Sequence, residues 1–200
     1  MVHPDTEVRF VSPTIGWGVF ATRDIPRGTI TWALDPLDQH FTPEERAALP
    51  AYAQAQLEKY SYIDRRGNNI LCWDHARFFN HSCAANCLSV GYDFELAIRD
   101  IAAGEELTDD YATLNPSEPF PCFCGLADCR REVRPEDQVH HGTYWNGLAR
   151  DAFFLIPNVP QPLWQVVSER EAIEAALADP NRLRPIQHHF GRRAAVVVSK

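Results

Sequence analysis

No apolar run in this 200-residue chain reaches the roughly 18 residues that a membrane-spanning helix needs. The mean hydropathy of -0.32 points the same way. The opening residues Met1-Val2-His3-Pro4-Asp5 lack the basic and apolar regions of a secretory signal. Positive charge is in short supply: 19 Lys and Arg face 27 Asp and Glu, giving a net charge of -8 and a pI of about 5.4. That balance argues against binding nucleic acid through a broad basic surface and is compatible with attracting a basic peptide. Internal repeats and low-complexity linkers are absent. The expectation is a cytosolic or nuclear protein that touches neither a membrane nor, directly, a nucleic acid.

Hydrophobic residues make up 45% of the chain and aromatics 11%, enough for the core of one domain with an appendage. Many short strand-like segments and few helical ones predict a mainly β domain. Glu7 to Val11 reads as a strand, and Gly16-Trp17-Gly18 marks a turn that enters another. Thr42-Pro43-Glu44-Glu45 has the pattern of a capping box with proline at the first helical position. A helix is expected from there towards Lys59, broken near Pro50. Tyr60 and Tyr62 lead into a strand pair turned at Arg66-Gly67-Asn68-Asn69. Leu88 to Val90 and Phe94 to Ile98 read as a hairpin. His140 to Val167 shows little periodicity. Ser168-Glu169-Arg170-Glu171 looks like a second capping box, opening a helix over about 168–178 that stops at Asp179-Pro180. The last twenty residues carry several arginines and the run Val196-Val197-Val198.

The cysteines carry the first chemical signal. Cys122-Phe123-Cys124-Gly125-Leu126-Ala127-Asp128-Cys129 offers three thiolates in eight residues. Zinc takes four soft ligands in a closed tetrahedral shell, so a fourth must come from elsewhere. Cys83, in Arg77-Phe78-Phe79-Asn80-His81-Ser82-Cys83, is the candidate. Without a secretion signal, metal binding is favoured over disulfides or plain buried thiols. Cys72 and Cys87 read as small buried residues. The pairs His140-His141 and His188-His189 read as surface residues.

In order along the chain, Gly16-Trp17-Gly18, the segment Arg77 to Cys83, Gly104-Glu105-Glu106-Leu107, Asp110-Tyr111 and the Cys122/Cys124/Cys129 cluster resemble the SET-domain lysine methyltransferases. The resemblance implies a β-clip fold of small curved sheets with a C-terminal pseudoknot, an exception to the usual avoidance of threading. Asn80-His81 and Tyr111 should meet there. It divides the chain into a SET domain at 7–113, a post-SET zinc-binding flap at 114–133 and a C-terminal extension at 134–200.

It also implies S-adenosyl-L-methionine as cofactor and structural zinc held by Cys83, Cys122, Cys124 and Cys129. The backbone of Gly16, Trp17 and Gly18 should hold the cofactor's amino-acid end. Arg77, Asn80 and His81 should hold its carboxylate, amino group or adenine, and Phe123 should cover the adenine. Tyr111 should place its hydroxyl near the transferred methyl, with Tyr60, or else Tyr62, as a second channel hydroxyl. The substrate is expected to be a lysine in a basic peptide, on a histone or another basic protein. A neutral amine must attack, and a dry channel beside a sulfonium lowers the usual lysine pKa of about 10.4. Asp109 stands where many relatives carry Phe or Tyr. That departure is the best support for the alternative, a catalytically inactive SET-fold module that recruits protein partners.

Overall fold

The computed structural model describes residues 1–191. The Val196–Val198 run therefore lies outside the described residues. The strands and helices follow in order: β1 Thr6–Ser12, β2 Gly16–Ala21, β3 Ile30–Ala33, β4 Gln39–Phe41, α1 Pro43–Ala48, α2 Ala51–Tyr60, β5 Ser61–Ile63 and β6 Asn69–Leu71. They continue with β7 Asn80–His81, β8 Cys87–Ser89, β9 Phe94–Ala97, β10 Glu106–Asp109, β11 Phe120–Pro121, β12 Glu132–Val133, α3 Asp137–Phe153 and α4 Arg170–Ala178.

These strands make four small sheets, ordered β1-β2-β10-β7, β3-β9-β8, β4-β6-β5 and β11-β12. The one parallel pairing sets Thr108 beside Asn80 and Asp109 beside His81. Every other strand pair is antiparallel, including the expected β5–β6 and β8–β9 hairpins. The parallel pair matters most for the site, because it carries Asn80-His81 to the end of β10, one residue before Asp110-Tyr111.

Local chemistry explains the helix starts. The Thr42 side chain accepts from the Glu45 backbone N–H while the Glu45 carboxylate accepts from that of Thr42, and Pro43 fits the first turn. Pro50 then separates α1 from α2, as its missing N–H and fixed φ require. Further along, the Ser168 capping box does not form. Helix α4 starts at Arg170 after Glu169, with no side-chain cap, so the expected start near 168 is corrected to 170.

The larger correction is α3, a 17-residue helix across a stretch that reads as aperiodic. Its buried positions Gln138, Gly142, Trp145, Ala149, Ala152 and Phe153 have helical spacing. Glutamine, glycine and alanine occupy four of those six positions, so a search for large apolar residues misses the stripe. Trp145 and Phe153 are buried in the core beside Leu88, Phe94, Leu96 and Ile173. Tyr92 stacks on both Phe94 and Phe153, with ring centroids 5.8 and 5.7 Å away. Burial of one such large side chain is worth roughly 1.5–3 kcal/mol, so α3 and α4 are integral to the fold. A second core cluster lies under β2 and β10, with Val19, Ile25, Trp32, Cys87 and Leu107.

Candidate active site and metal centre

β2, β7 and β10 lie side by side, and their polar groups meet across the sheet. Asn80 Nδ2 donates to the Trp17 carbonyl at 3.0 Å and to Glu106 Oε1 at 2.7 Å. Gly18 makes that approach feasible. A Cβ there would lie 2.2 Å from Glu106 Oε1, 2.9 Å from Val11 Cγ2 and 3.0 Å from Asn80 Nδ2. Gly16 has a φ of +91°, a left-handed turn suited to glycine. Between the two glycines Trp17 is 50% exposed, presenting a ring edge-on to Phe10.

His81 points inwards from β7. Its Nδ1 accepts the Tyr111 backbone N–H at 3.2 Å, and its Nε2 lies 3.5 Å from Cys83 Sγ. Burial pushes its pKa down, although Asp110, 3.7 Å from Nδ1, opposes this. The ring is therefore neutral and carries its proton on Nε2. Tyr111 donates its hydroxyl to the Phe79 carbonyl. Burial, reinforced by Asp109 and Glu95, raises the Tyr111 pKa, so the phenol stays protonated.

Tyr111 also lines a cavity of about 560 Å³. Trp32, Tyr62 and Phe79 contribute aromatic wall, Tyr60, Arg77 and Lys59 line it too, and Asp109 and Glu95 add two carboxyls. Asp109 is 1% exposed and Glu95 6%. The two are hydrogen-bonded to each other, and burial, reinforced at Asp109 by the neighbouring Glu95, raises both pKa values. Burial thus favours the neutral form of both carboxyls. Both tyrosines proposed for the second hydroxyl face this cavity. Tyr60 packs edge-on against Phe78, and Tyr62 packs edge-on against Trp32.

Cys83, Cys122, Cys124 and Cys129 place their sulfurs within 4.8 Å of one another, with Cys83 Sγ and Cys122 Sγ 3.7 Å apart. Tetrahedral zinc with bonds of about 2.3 Å puts sulfurs about 3.8 Å apart, so the donor set fits. All six cysteines are free of disulfides. Burial raises the Cys122 thiol pKa. Burial opposes ionisation of Cys124 as well, but hydrogen bonds at Cys83 and Leu126 outweigh it and bring that thiol to about 6. Cys72 and Cys87 lie buried in the core, as expected.

Arg130 ties the metal centre to the rest of the site. It donates to Asp110 at 2.6 Å and Asp137 at 3.0 Å, and its Nε and backbone N–H each lie 3.5 Å from Cys83 Sγ. Burial works against its charge, yet Asp110 and Cys83 raise its pKa overall. One guanidinium therefore joins the residue before Tyr111, the cysteine cluster and the first turn of α3.

The expected site residues thus fall into three adjoining groups. Gly16, Trp17, Gly18 and Asn80 form the polar cluster at β2. Tyr60, Arg77 and Tyr111 line the cavity, and the four cysteines converge. Arg77 is exposed, folded back so that its guanidinium donates to the Trp73 and Asp74 carbonyls. Phe123 is 63% exposed between two cysteines, free to cover a bound ring. Two contributors escape a sequence reading, Glu95 and Arg130, and Glu106 enters it only as part of the Gly104-Glu105-Glu106-Leu107 motif. Glu95 had a visible signal, a lone acid inside the apolar segment Phe94-Glu95-Leu96. Arg130 directly follows the last zinc-type cysteine. His189 is also corrected from surface to core: it is 6% exposed and stacks on Tyr62.

Residues 16–112 match the family model of the SET domain. Histone-lysine N-methyltransferase SETD2 of Mus musculus is 30% identical over 154 residues, 68% of this chain and 6% of that protein. The Schizosaccharomyces pombe histone-lysine N-methyltransferase, H3 lysine-4 specific, is 45% identical over 62 residues, 28% of this chain and 7% of that protein. The chain therefore spans only a small part of these curated relatives. Among solved structures, KRYPTONITE in complex with mCHG DNA and SAH aligns with a TM-score of 0.47 at 25% identity, covering 64% of this chain and 28% of that one. No helix among the described residues is long and apolar enough to cross a membrane. This chain carries a SET domain of small sheets, and beside it a four-cysteine cluster that fits a post-SET zinc site.

Proposed function

We propose that this protein is an S-adenosylmethionine-dependent protein-lysine N-methyltransferase of the cytosol or nucleus, with zinc in a structural role. The observation that carries the reading is Tyr111. Its side chain lines the aromatic cavity, while its backbone is fixed by His81 on the strand that also holds Asn80. A lysine entering the cavity and a cofactor at the glycine pair would meet at this residue.

The residues present suit both bound groups. The open space at Gly16, the carboxamide of Asn80 and the exposed rings of Trp17 and Phe123 suit an amino acid joined to a nucleoside. His81 would contribute through its main chain, since both ring nitrogens are engaged. Arg77 lies along the cavity wall, available to an anionic end. When bound, S-adenosylmethionine supplies an electrophilic methyl carbon on a sulfonium.

The chain itself supplies alignment and desolvation. Trp32, Tyr62 and Phe79 exclude water, which favours the neutral amine. The Tyr111 hydroxyl donates to the Phe79 carbonyl, so its oxygen lone pairs can accept a substrate N–H and orient the amine. Tyr60 or Tyr62 supplies a second hydroxyl on the same wall. The acidic net charge suits a basic peptide such as a histone tail.

The test is transfer of labelled methyl to core histones and to a cell lysate, with Tyr111→Phe as control. Label on a protein band with the wild type alone supports the reading. Cofactor binding without any transfer would favour an inactive module that recruits partners.

A further inference from the structure

Of the 19 Lys and Arg in the chain, only Lys59 and Lys200 are lysines, so the protein has few amines of its own to offer a lysine-accepting site. Lys59 is fixed in helix α2, with its ammonium over the Tyr60 ring at 4.9 Å. It forms part of the cavity wall and does not travel along it. Lys200 belongs to Arg192-Arg193-Ala194-Ala195-Val196-Val197-Val198-Ser199-Lys200, and the described residues end just before this segment, at Gly191. Gly191 lies at the rim of the cavity. Its N–H donates to Asn115 Oδ1 at 2.7 Å, and the Asn115 carboxamide donates to the carbonyls of Ile63 at 2.9 Å and His189 at 3.1 Å. Ile63, and Leu114 and Pro116 on either side of Asn115, line the same cavity as Tyr111. His189 stacks on Tyr62 and Phe190 packs edge-on against Trp145, so the chain is anchored up to this point.

We propose that the segment 192–200 occupies this cavity and that Lys200 is methylated by the chain that carries it. Nine residues extend to at most roughly 30 Å, enough to bring Lys200 from Gly191 to Tyr111. Arg192, Arg193 and Lys200 contribute +3 with no acid among them, so the net charge of -8 leaves -11 on residues 1–191. The segment is itself a basic, lysine-bearing peptide of the kind that this charge attracts. A short tether also holds its end at a local concentration of about 1 mM, about a thousand-fold above an external peptide at micromolar level. In the transfer, the Lys200 Nζ lone pair bonds to the methyl carbon of S-adenosylmethionine as the carbon–sulfur bond breaks. The electron pair of that bond stays on sulfur, giving S-adenosylhomocysteine, and the methylated nitrogen sheds one proton to water. Methylation of Lys200 rests on the methyltransferase reading, whereas occupation of the cavity does not.

The test separates the two. Without cofactor, the zinc-loaded full chain is acylated with N-acetoxysuccinimide beside the N-acetylated peptide of residues 192–200 in the same tube. Lys200 of the protein should react about two-fold or more slowly than Lys200 of the peptide, as expected when a local concentration of about 1 mM half fills the site. Equal rates would overturn the inference. With S-adenosylmethionine and no other protein, peptide mass spectrometry should find the methyl group on Lys200. The fraction methylated at a fixed time should stay constant over a hundred-fold dilution of the protein, because the acceptor is in the same chain. Lys200→Arg should lose this label and keep transfer to core histones. Label on Lys59, or a fraction that falls with dilution, would overturn the inference. So would transfer to core histones without any on Lys200, and that result would leave the proposed function standing. Slow acylation of Lys200 without methyl transfer to any protein would support the docked segment and count against the methyltransferase reading.

Discussion

His81 accepts the backbone N–H of Tyr111 at Nδ1, 3.2 Å away, and this leaves the ring proton on the nitrogen that faces Cys83 Sγ at 3.5 Å. One imidazole thus holds the candidate catalytic residue and a candidate metal ligand together. His81→Phe should cost about 1–3 kcal/mol, because it strands a buried N–H. It should also weaken zinc binding about 10–100-fold, the usual effect of losing a partner of a metal ligand. Urea unfolding and chelator competition measure the two effects. Unchanged zinc affinity would remove His81 from the support of the metal centre.

Arg130→Met leaves Asp110 and Asp137 without their cation. Breaking a buried ion pair from one side costs about 3–5 kcal/mol. Arg130→Met/Asp110→Asn should recover part of that loss, since one stranded charge is gone. Unfolding of the zinc-loaded proteins in urea gives both values. A single variant within about 0.5 kcal/mol of wild type would show that the guanidinium is not a structural tie.

Gly18→Ala places a methyl group against Glu106, Val11 and Asn80. Overpacking of this kind costs about 1–3 kcal/mol. The displaced Asn80 carboxamide should weaken S-adenosylmethionine about ten-fold while zinc stays bound. Calorimetric titration with the cofactor and metal analysis of the same sample test this. Full cofactor affinity would separate the glycine pair from the cofactor site.

His189 is buried, and that burial holds its pKa below the usual 6.5. Above about pH 6.5 neither the folded nor the unfolded protein protonates this ring, so its contribution is fully present. Below that, the unfolded chain binds a proton that the folded protein refuses, and stability falls with pH. His189→Phe should flatten this slope relative to wild type at equal zinc loading. Denaturant midpoints between pH 5 and 7.5 report it, and parallel slopes would sink the idea.

Much of the site could be read from the sequence, because its parts are short and local. The Cys-Phe-Cys spacing needs no tertiary knowledge to suggest a metal, and Thr42, Glu45 and Pro50 announce a helix and its break. The Asn80–Tyr111 meeting was legible only through the family resemblance. Three features were not legible. Helix α3 turns small and polar side chains towards the core, so hydrophobic periodicity is faint there. Asp109 could be seen as unusual, but its partner Glu95 lies 14 residues earlier in another sheet, and nothing local joins them. Arg130 is hidden in the same way, since its partners sit on either side of it in space and not in sequence.

The six cysteines divide four to two between a metal centre and the core. Burial raises the pKa of Cys72 and Cys87 and keeps them poorly nucleophilic. A thiol reagent added to native, zinc-loaded protein should therefore find almost nothing to label, and a chelator should expose one batch of four. The number of fast-reacting thiols becomes a gauge of metal occupancy, usable on any preparation before its activity is known.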